Sequence, residues 1–185
     1  MNARSRILAF NKPGVLDRIA GIVRRRGWNI DSLTAGNITA GNAPEGLMQI
    51  NLSIEGQHID TQEFGDRLSE LHDVWGWEEC SLQDHFIREI LLFSFRKDSE
   101  QGRAVSGISG IKIIEENNGL VYAEYTGSPE EAGAVYRLLN ENSISCVRVG
   151  KLILAREGDR FTDGKGFVSD IGHQPRVHVN ESRAV

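Results

Sequence analysis

The sequence predicts an α+β protein that uses the same β-α-β-β-α-β unit twice. Three observations support this fold class. Strand-like and helix-like hydrophobic patterns alternate in that order, the order repeats after residue 85, and 185 residues are enough for two small domains.

The first strand and helix are well delimited. Residues 6–10 (RILAF) form a short apolar run that predicts a buried strand. Pro13 suits the first turn of the next helix, and residues 24–26 (RRR) place cations in its last turn before Gly27. An apolar stripe at helical spacing lies between these signals, at Val15, Leu16, Ile19, Ile22 and Val23.

Two strands, a helix and a strand complete the first unit. Alternation predicts strands at 29–39 and 47–54, separated by the loop GNAPEG. Asp60 precedes Glu63 by three residues, as at a helix start with a capping box. Residues 74–82, with two tryptophans, predict the last strand.

The second unit repeats this order. The elements are a strand at 86–95, a weaker helix at 99–107, a hairpin of 111–115 and 120–125, a helix opened by Ser128-Pro129-Glu130-Glu131, and a strand at 144–155. The order is that of the ferredoxin-like fold. We therefore predict two consecutive ferredoxin-like domains, residues 4–82 and 85–157, followed by a polar tail, 158–185, that orders only against a partner.

The composition is that of a globular protein outside the membrane. The chain is 39% hydrophobic with a net charge of -5, and no run of eighteen apolar residues or secretory signal is visible. Cys80 and Cys146 lie far apart, which predicts buried, reduced thiols and a cytoplasmic location.

No catalytic or metal-binding motif is visible. The phosphate-loop, nucleophile-elbow and zinc-protease patterns are missing, and the five histidines have no ligand spacing. The third strand, LMQINLSI, lacks the aromatics of an RNA-binding sheet. We therefore predict no catalytic residues, no metal site and no nucleic-acid partner.

The corner at residues 11–14 (NKPG) has two interpretations. Asn11 as a helix cap and Gly14 as a turn residue would be ordinary punctuation. Alternatively, the helix N-terminus holds the carboxylate of a small amino acid, and Gly14 lets it approach the backbone. Asn29 begins the adjacent strand, and we expect its amide to face the same corner.

Residues 6–36 resemble the start of the acetolactate synthase (acetohydroxyacid synthase) small regulatory subunit, in N-x-x-G-x-L and then R-G-W-N-I-D-S-L-T. HFIREILLFSF resembles that family's His-x-x-Arg-Glu strand, and AEYTGSPEEAGAVYRLL and VRVGKLILAREG resemble its closing half. The resemblance implies that the first domain is an ACT domain, an amino-acid sensor, and that the chain is a noncatalytic subunit. Such a subunit activates the catalytic large subunit and confers feedback inhibition by valine.

The resemblance also implies the site. Effector would bind between the ACT domains of a homodimer, at Asn11, Gly14 and Asn29. Beyond the resemblance, we expect the backbone amides of Val15 and Leu16 to bind the carboxylate and Ile30 to contact the effector's side chain. This chain would carry no cofactor, whereas thiamine diphosphate, Mg and FAD would lie on the large subunit. The alternative is an ACT-domain sensor that regulates a different enzyme or a transcriptional response.

Overall fold

The structure, a computed structural model, describes residues 2–38 and 44–156, together with the backbone of 159–162 and 168–171. Two compact units are formed. The first contains the chain up to His85 and the described part from Ala155 onward, and the second contains residues 86–154. Each has a β-α-β-β-α-β order, which confirms the predicted α+β class with two ferredoxin-like units.

The first unit is built on an antiparallel sheet. Its elements are β1 (Asn2–Phe10), α1 (Val15–Arg25), β2 (Asn29–Asn37), β3 (Leu47–Glu55), α2 (Thr61–Ser69) and β4 (Val74–Glu79). The spatial order of these strands is β2-β3-β1-β4.

The same element order recurs in the second unit. Its elements are β5 (His85–Arg96), α3 (Glu100–Ser106), β6 (Ile111–Asn117), β7 (Leu120–Gly127), α4 (Pro129–Glu141) and β8 (Ser145–Ala155). The spatial order, β6-β7-β5-β8, matches that of the first unit strand for strand.

Two further strands lie where the sequence predicts none. After residue 158 the structure describes β9 (Asp159–Thr162) and β10 (Val168–Ile171), which extend the first sheet beyond β4. Backbone hydrogen bonds to an open sheet edge require no apolar pattern, so this polar, glycine-rich segment carries little strand signal.

The helices of each unit pack on one sheet face only. In the first unit α1 and α2 contribute Ile19, Ile22, Phe64 and Leu68 to a core with Ile7, Ile50 and Ile54. In the second unit α3 and α4 contribute Val105, Ala132, Val135 and Leu139 to a core with Leu91, Phe93 and Phe95. The predicted apolar stripe of the first helix is therefore part of the first core, except that Leu16 stays 37% exposed.

Three local predictions are confirmed. Asp60 accepts a hydrogen bond from the Glu63 amide at the start of α2. Ser128 forms a complete capping box with Glu131, and Pro129 follows it in the first turn. Asn118 and Gly119 both have positive φ, 50° and 75°, as a tight hairpin turn requires.

Candidate functional site

The loop between β1 and α1 ends at Gly14, in a backbone conformation that only a residue without Cβ adopts at low cost. Gly14 is the N-cap of α1 with φ 84°, and no side chain caps the helix. The Val15 amide donates a hydrogen bond to the Lys12 carbonyl at 3.3 Å, and the Arg18 amide donates one to the Gly14 carbonyl. The α1 terminus is therefore open to an external acceptor at its first-turn amides, of which Leu16 is a better donor than Val15.

Asn11 does not cap the helix. Its side-chain amide donates to Oδ1 of Asn37 at 3.3 Å, and its backbone N–H donates to the Gly46 carbonyl at 2.8 Å. Both asparagines lie at one end of the sheet, since Phe10 pairs with Leu47 and Asn37 pairs with Met48. The side chain of Asn11 is exposed, so it can also reach a ligand.

Two cations lie near this end of α1. Lys12 Nζ lies 3.4 Å from Asp73, and Arg18 forms a second ion pair with the same carboxylate. Two partly exposed cations thus share one carboxylate, which is only 12% exposed. Asp17 in the first turn of α1 balances the second cation, so a ligand carboxylate at the α1 terminus would be held by the first-turn amides and the helix dipole, with Lys12 and Arg18 nearby.

Asn29 does not lie at this corner, so the prediction that its amide faces the corner is wrong for a single chain, and Ile30 follows Asn29 in β2. Asn29 pairs with Glu55, at the end of the sheet where β1 begins, whereas Asn37 is in register with Met48 at the opposite end. The nine residues of β2 separate the two asparagines by about 27 Å. The sequence argument overlooked that β2 runs back along the whole length of the sheet.

An open groove of about 610 Å³ runs along α1 to the start of β2 and includes both of these residues. Its lining comprises Asp17, Ala20, Gly21, Val23, Arg24, Gly27, Trp28, Asn29 and Ile30. Because Ala20 and Gly21 have small side chains or none, the surface of α1 is recessed at the groove. The sequence analysis missed this groove, although the small pair beside the arginine run is a readable signal.

The His-x-x-Arg-Glu strand holds buried charges. Glu89 is 1% exposed and pairs with Arg148 at 2.5 Å and Lys151 at 3.5 Å, while Arg88 points to Glu131 on the surface at 3.9 Å. His85 is also buried, 3.4 Å from Glu78. These contacts hold strands together within each unit, and they lie outside the predicted effector site.

Both cysteines are free thiols, and Cys80 is buried as predicted, whereas Cys146 is only partly buried. Burial, together with the nearby Glu78 carboxylate, raises the pKa of Cys80 to about 12. Burial also raises the pKa of Cys146. Within the described residues no cluster of His, Cys, Asp and Glu could hold a metal ion, and no helix is long and apolar enough to cross a membrane.

Comparison with known proteins finds one family repeatedly. Residues 6–76 match the model of the AHAS small subunit-like ACT domain. The "Probable acetolactate synthase small subunit" of Archaeoglobus fulgidus is 27% identical over 154 residues, which is 81% of this chain and 94% of the relative. The chloroplastic "Acetolactate synthase small subunit 1" of Nicotiana plumbaginifolia is 30% identical over 83% of this chain, which spans only 34% of that longer protein.

A solved structure has the same fold. The acetolactate synthase small subunit from Thermotoga maritima superposes with a TM-score of 0.71 at 24% identity, over 84% of this chain and 98% of that one. These matches confirm the family resemblance that the sequence motifs indicate.

Proposed function

We propose, from the membership of residues 6–76 in the acetolactate synthase small-subunit family of ACT domains, that this chain is the regulatory subunit of an acetolactate synthase. In this proposal it binds the catalytic large subunit, raises its activity, and lowers that activity again when valine binds. Thiamine diphosphate, Mg²⁺ and FAD would belong to the large subunit.

The valine proposal rests on two groups of site residues at opposite ends of the edge strand β2. We call them half-sites: one contains Asn11 and Asn37, and the other contains Asn29. The described sheet ends at β2, with Asn37 and its partner Asn11 at one end of that strand and Asn29 at the other. If two copies pair antiparallel through β2, centred on Leu33, Asn29 of each copy lies beside Asn37 of the other. Twofold symmetry then makes two identical, complete sites.

The chemistry of the joined half-sites matches an amino acid. The α1 terminus and the cations Lys12 and Arg18 suit the carboxylate, and the side-chain oxygens of Asn11 and Asn29 suit the ammonium. Ile30, half-buried in the groove, and Leu16, 37% exposed, offer apolar surface to a branched side chain.

Binding across two copies supplies the regulatory energy by linkage. Valine at a hundredfold excess over its Kd would stabilise the paired arrangement by about 2.7 kcal/mol. A coupling of about 1–3 kcal/mol between that arrangement and the active large subunit changes activity several-fold to a hundredfold.

The test is reconstitution with the acetolactate synthase large subunit of the same organism. Acetolactate production is measured with the large subunit alone, after addition of this chain, and after addition of valine. We expect this chain to co-purify with the large subunit, to raise the rate, and to make it valine-sensitive. Valine binding without any effect on the large subunit would favour the alternative, a sensor for another enzyme.

A further inference from the structure

Two cations lie at the end of α1 where a helix favours anions. A helix N-terminus carries a partial positive charge, so Lys12 in the preceding loop and Arg18 near the start of α1 are both unfavourably placed, whereas Asp17 follows the rule. Departures from such local rules are concentrated at functional sites. Helix stability therefore does not explain these two cations.

Arg18 is the fourth residue of α1, but its side chain reaches back to the helix terminus. Long side chains on a helix point towards its N-terminus, and a Cβ added at Gly14 would lie 3.1 Å from Nη1 of Arg18 and 3.9 Å from its Cζ. The other terminal nitrogen, Nη2, donates to Oδ2 of Asp73. One nitrogen of the guanidinium is thus fixed by Asp73, while the other lies beside the helix cap.

Asp73 comes from a different part of the unit, the connection between α2 and β4. Its carbonyl accepts a hydrogen bond from the Phe10 amide at 2.8 Å, which ties it to the end of β1, directly before Asn11. The next residue, Val74, donates to the Leu71 carbonyl at 3.1 Å. The side chain of Asp73 is only 12% exposed. Its carboxylate is therefore held in place from both the backbone and its surroundings.

We propose that Asp73 is a positioning residue of the effector site, which holds the guanidinium of Arg18 beside Gly14 to bind the carboxylate of an amino acid. That carboxylate would accept hydrogen bonds from Arg18 Nη1 and from the Leu16 amide, a charged donor and a backbone donor at the same helix terminus. The inference rests on the proposed function, and it adds the α2–β4 connection to the proposed site.

A purely structural role explains the ion pairs of Asp73 less well. The side chains of Arg18 and Lys12 are 43% and 55% exposed, and ion pairs of such exposed groups contribute little to stability. A flexible arginine that the ligand itself had to order would reduce affinity, whereas Asp73 orders it in advance. Because Asp73 and Asp17 balance the two cations, the ligand carboxylate is recognised by directed hydrogen bonds rather than by a general excess of positive charge.

The test measures carboxylate recognition by the full-length chain. Isothermal titration compares L-valine with L-valinamide, which keeps the ammonium group and the side chain but has no carboxylate. In Asp73→Asn and in Arg18→Met we expect the affinity for valine to fall at least about tenfold and that for valinamide to change less than about twofold. Because Asp73 acts through Arg18, the double variant should bind valine no more weakly than Arg18→Met.

Two further variants serve as controls. Asp73→Glu keeps the charge and should retain more valine affinity than Asp73→Asn; it also replaces Asp73→Asn if circular dichroism shows that variant to be unfolded. Glu116→Gln removes the carboxylate of an exposed ion pair in the second unit, where Lys97 Nζ lies 2.8 Å away. It should leave the affinities for both ligands unchanged.

The outcomes separate this inference from the proposed function. If Asp73→Asn binds valine as tightly as the wild type or more tightly, Arg18 needs no positioning and the inference is overturned. Equal losses for valine and valinamide, or losses that add in the double variant, would indicate a structural role and overturn it too. All of these results would leave the valine site in place. A wild-type chain that binds no valine would contradict the proposed function, and this inference with it.

Discussion

Asn11 donates a side-chain hydrogen bond to Asn37 across 3.3 Å, from the loop before α1 to the far end of β2. The two residues are 26 positions apart in the chain. This contact joins the helix terminus predicted to hold a carboxylate to the sheet edge proposed to pair with a second copy. It therefore gives a direct test of whether the edge contributes to the effector site.

Replacing Asn37 should weaken valine inhibition. In Asn37→Ala the Asn11 side chain loses the bond that orients it, which costs about 1 kcal/mol, or roughly a fivefold loss of valine affinity. Isothermal titration of valine into the full chain measures this loss. Asn140→Ala removes an exposed asparagine side chain on α4 and is the matched control; equal affinities in the two variants would contradict the assignment.

Gly14→Asp should reduce valine inhibition by more than about tenfold, because a carboxylate there would repel that of the ligand. A Cβ at residue 14 would also lie 3.1 Å from Arg18 Nη1 and disturb that cation. The measurement is the valine concentration for half-inhibition of the reconstituted enzyme.

Backbone strain has to be controlled in that comparison. Gly119, in a hairpin turn of the second unit, has a similar positive φ of 75°, and no atom lies near the position of an added Cβ. Gly119→Asp is therefore the control for strain. It should leave inhibition intact. Unchanged valine sensitivity in Gly14→Asp would remove the α1 terminus from the site.

The hydrogen bonds of the α4 capping box should affect the pKa measured for the Glu131 carboxyl group. Hydrogen bonds from the backbone and side chain of Ser128 lower the pKa of Glu131 below its usual value. In Ser128→Ala the backbone N–H still donates, so the pKa should rise part of the way back. Carbon-detected NMR of the side-chain carboxyl follows it, and an unchanged pKa would argue against the side-chain contribution.

The same titration has a consequence for stability. Because the folded-state pKa of Glu131 lies below the unfolded one, its contribution is present above the unfolded pKa and is lost as the pH falls through the folded pKa. Ser128→Ala should therefore make the acid-side loss of stability shallower, as urea unfolding at a series of pH values would show.

Two helical glycines should respond in opposite directions to alanine. A Cβ at Gly65 would lie 1.6 Å from Trp77 Cζ2, so Gly65→Ala should destabilise by about 1–3 kcal/mol through overpacking. Gly133 in α4 has no atom within 4 Å of that position, and Gly133→Ala should stabilise by up to about 1 kcal/mol. Urea unfolding measures both, and stabilisation by Gly65→Ala would contradict the packing of α2 on β4.

Much of the fold is readable from short stretches of sequence. The Ser128 capping box, the Asp60 cap and the Asn118-Gly119 turn are interactions among residues no more than three positions apart, so each is decided locally. The predicted tail is the contrast. β10 pairs with β9, but β9 joins the sheet by pairing with β4, where Thr162 lies opposite Trp77, and no local pattern encodes a pairing between residues so far apart in the chain.

The candidate site divides in the same way. Gly14 at the start of α1 follows from Pro13 and the apolar stripe, whereas the place of Asn29 follows from the β2–β3 register. The ion pairs of buried Glu89 could not be predicted from local sequence either, because Arg148 and Lys151 come from a strand about sixty residues later.

The sequence by itself determined the element order, the helix ends and turns, and the family motifs of the first domain. Those features depend on backbone propensities and hydrogen bonds within a few residues. Only the tertiary structure decided that Asn11 meets Asn37 rather than Asn29. Strand register and sheet order bring distant residues together, and both are set by packing of the whole unit.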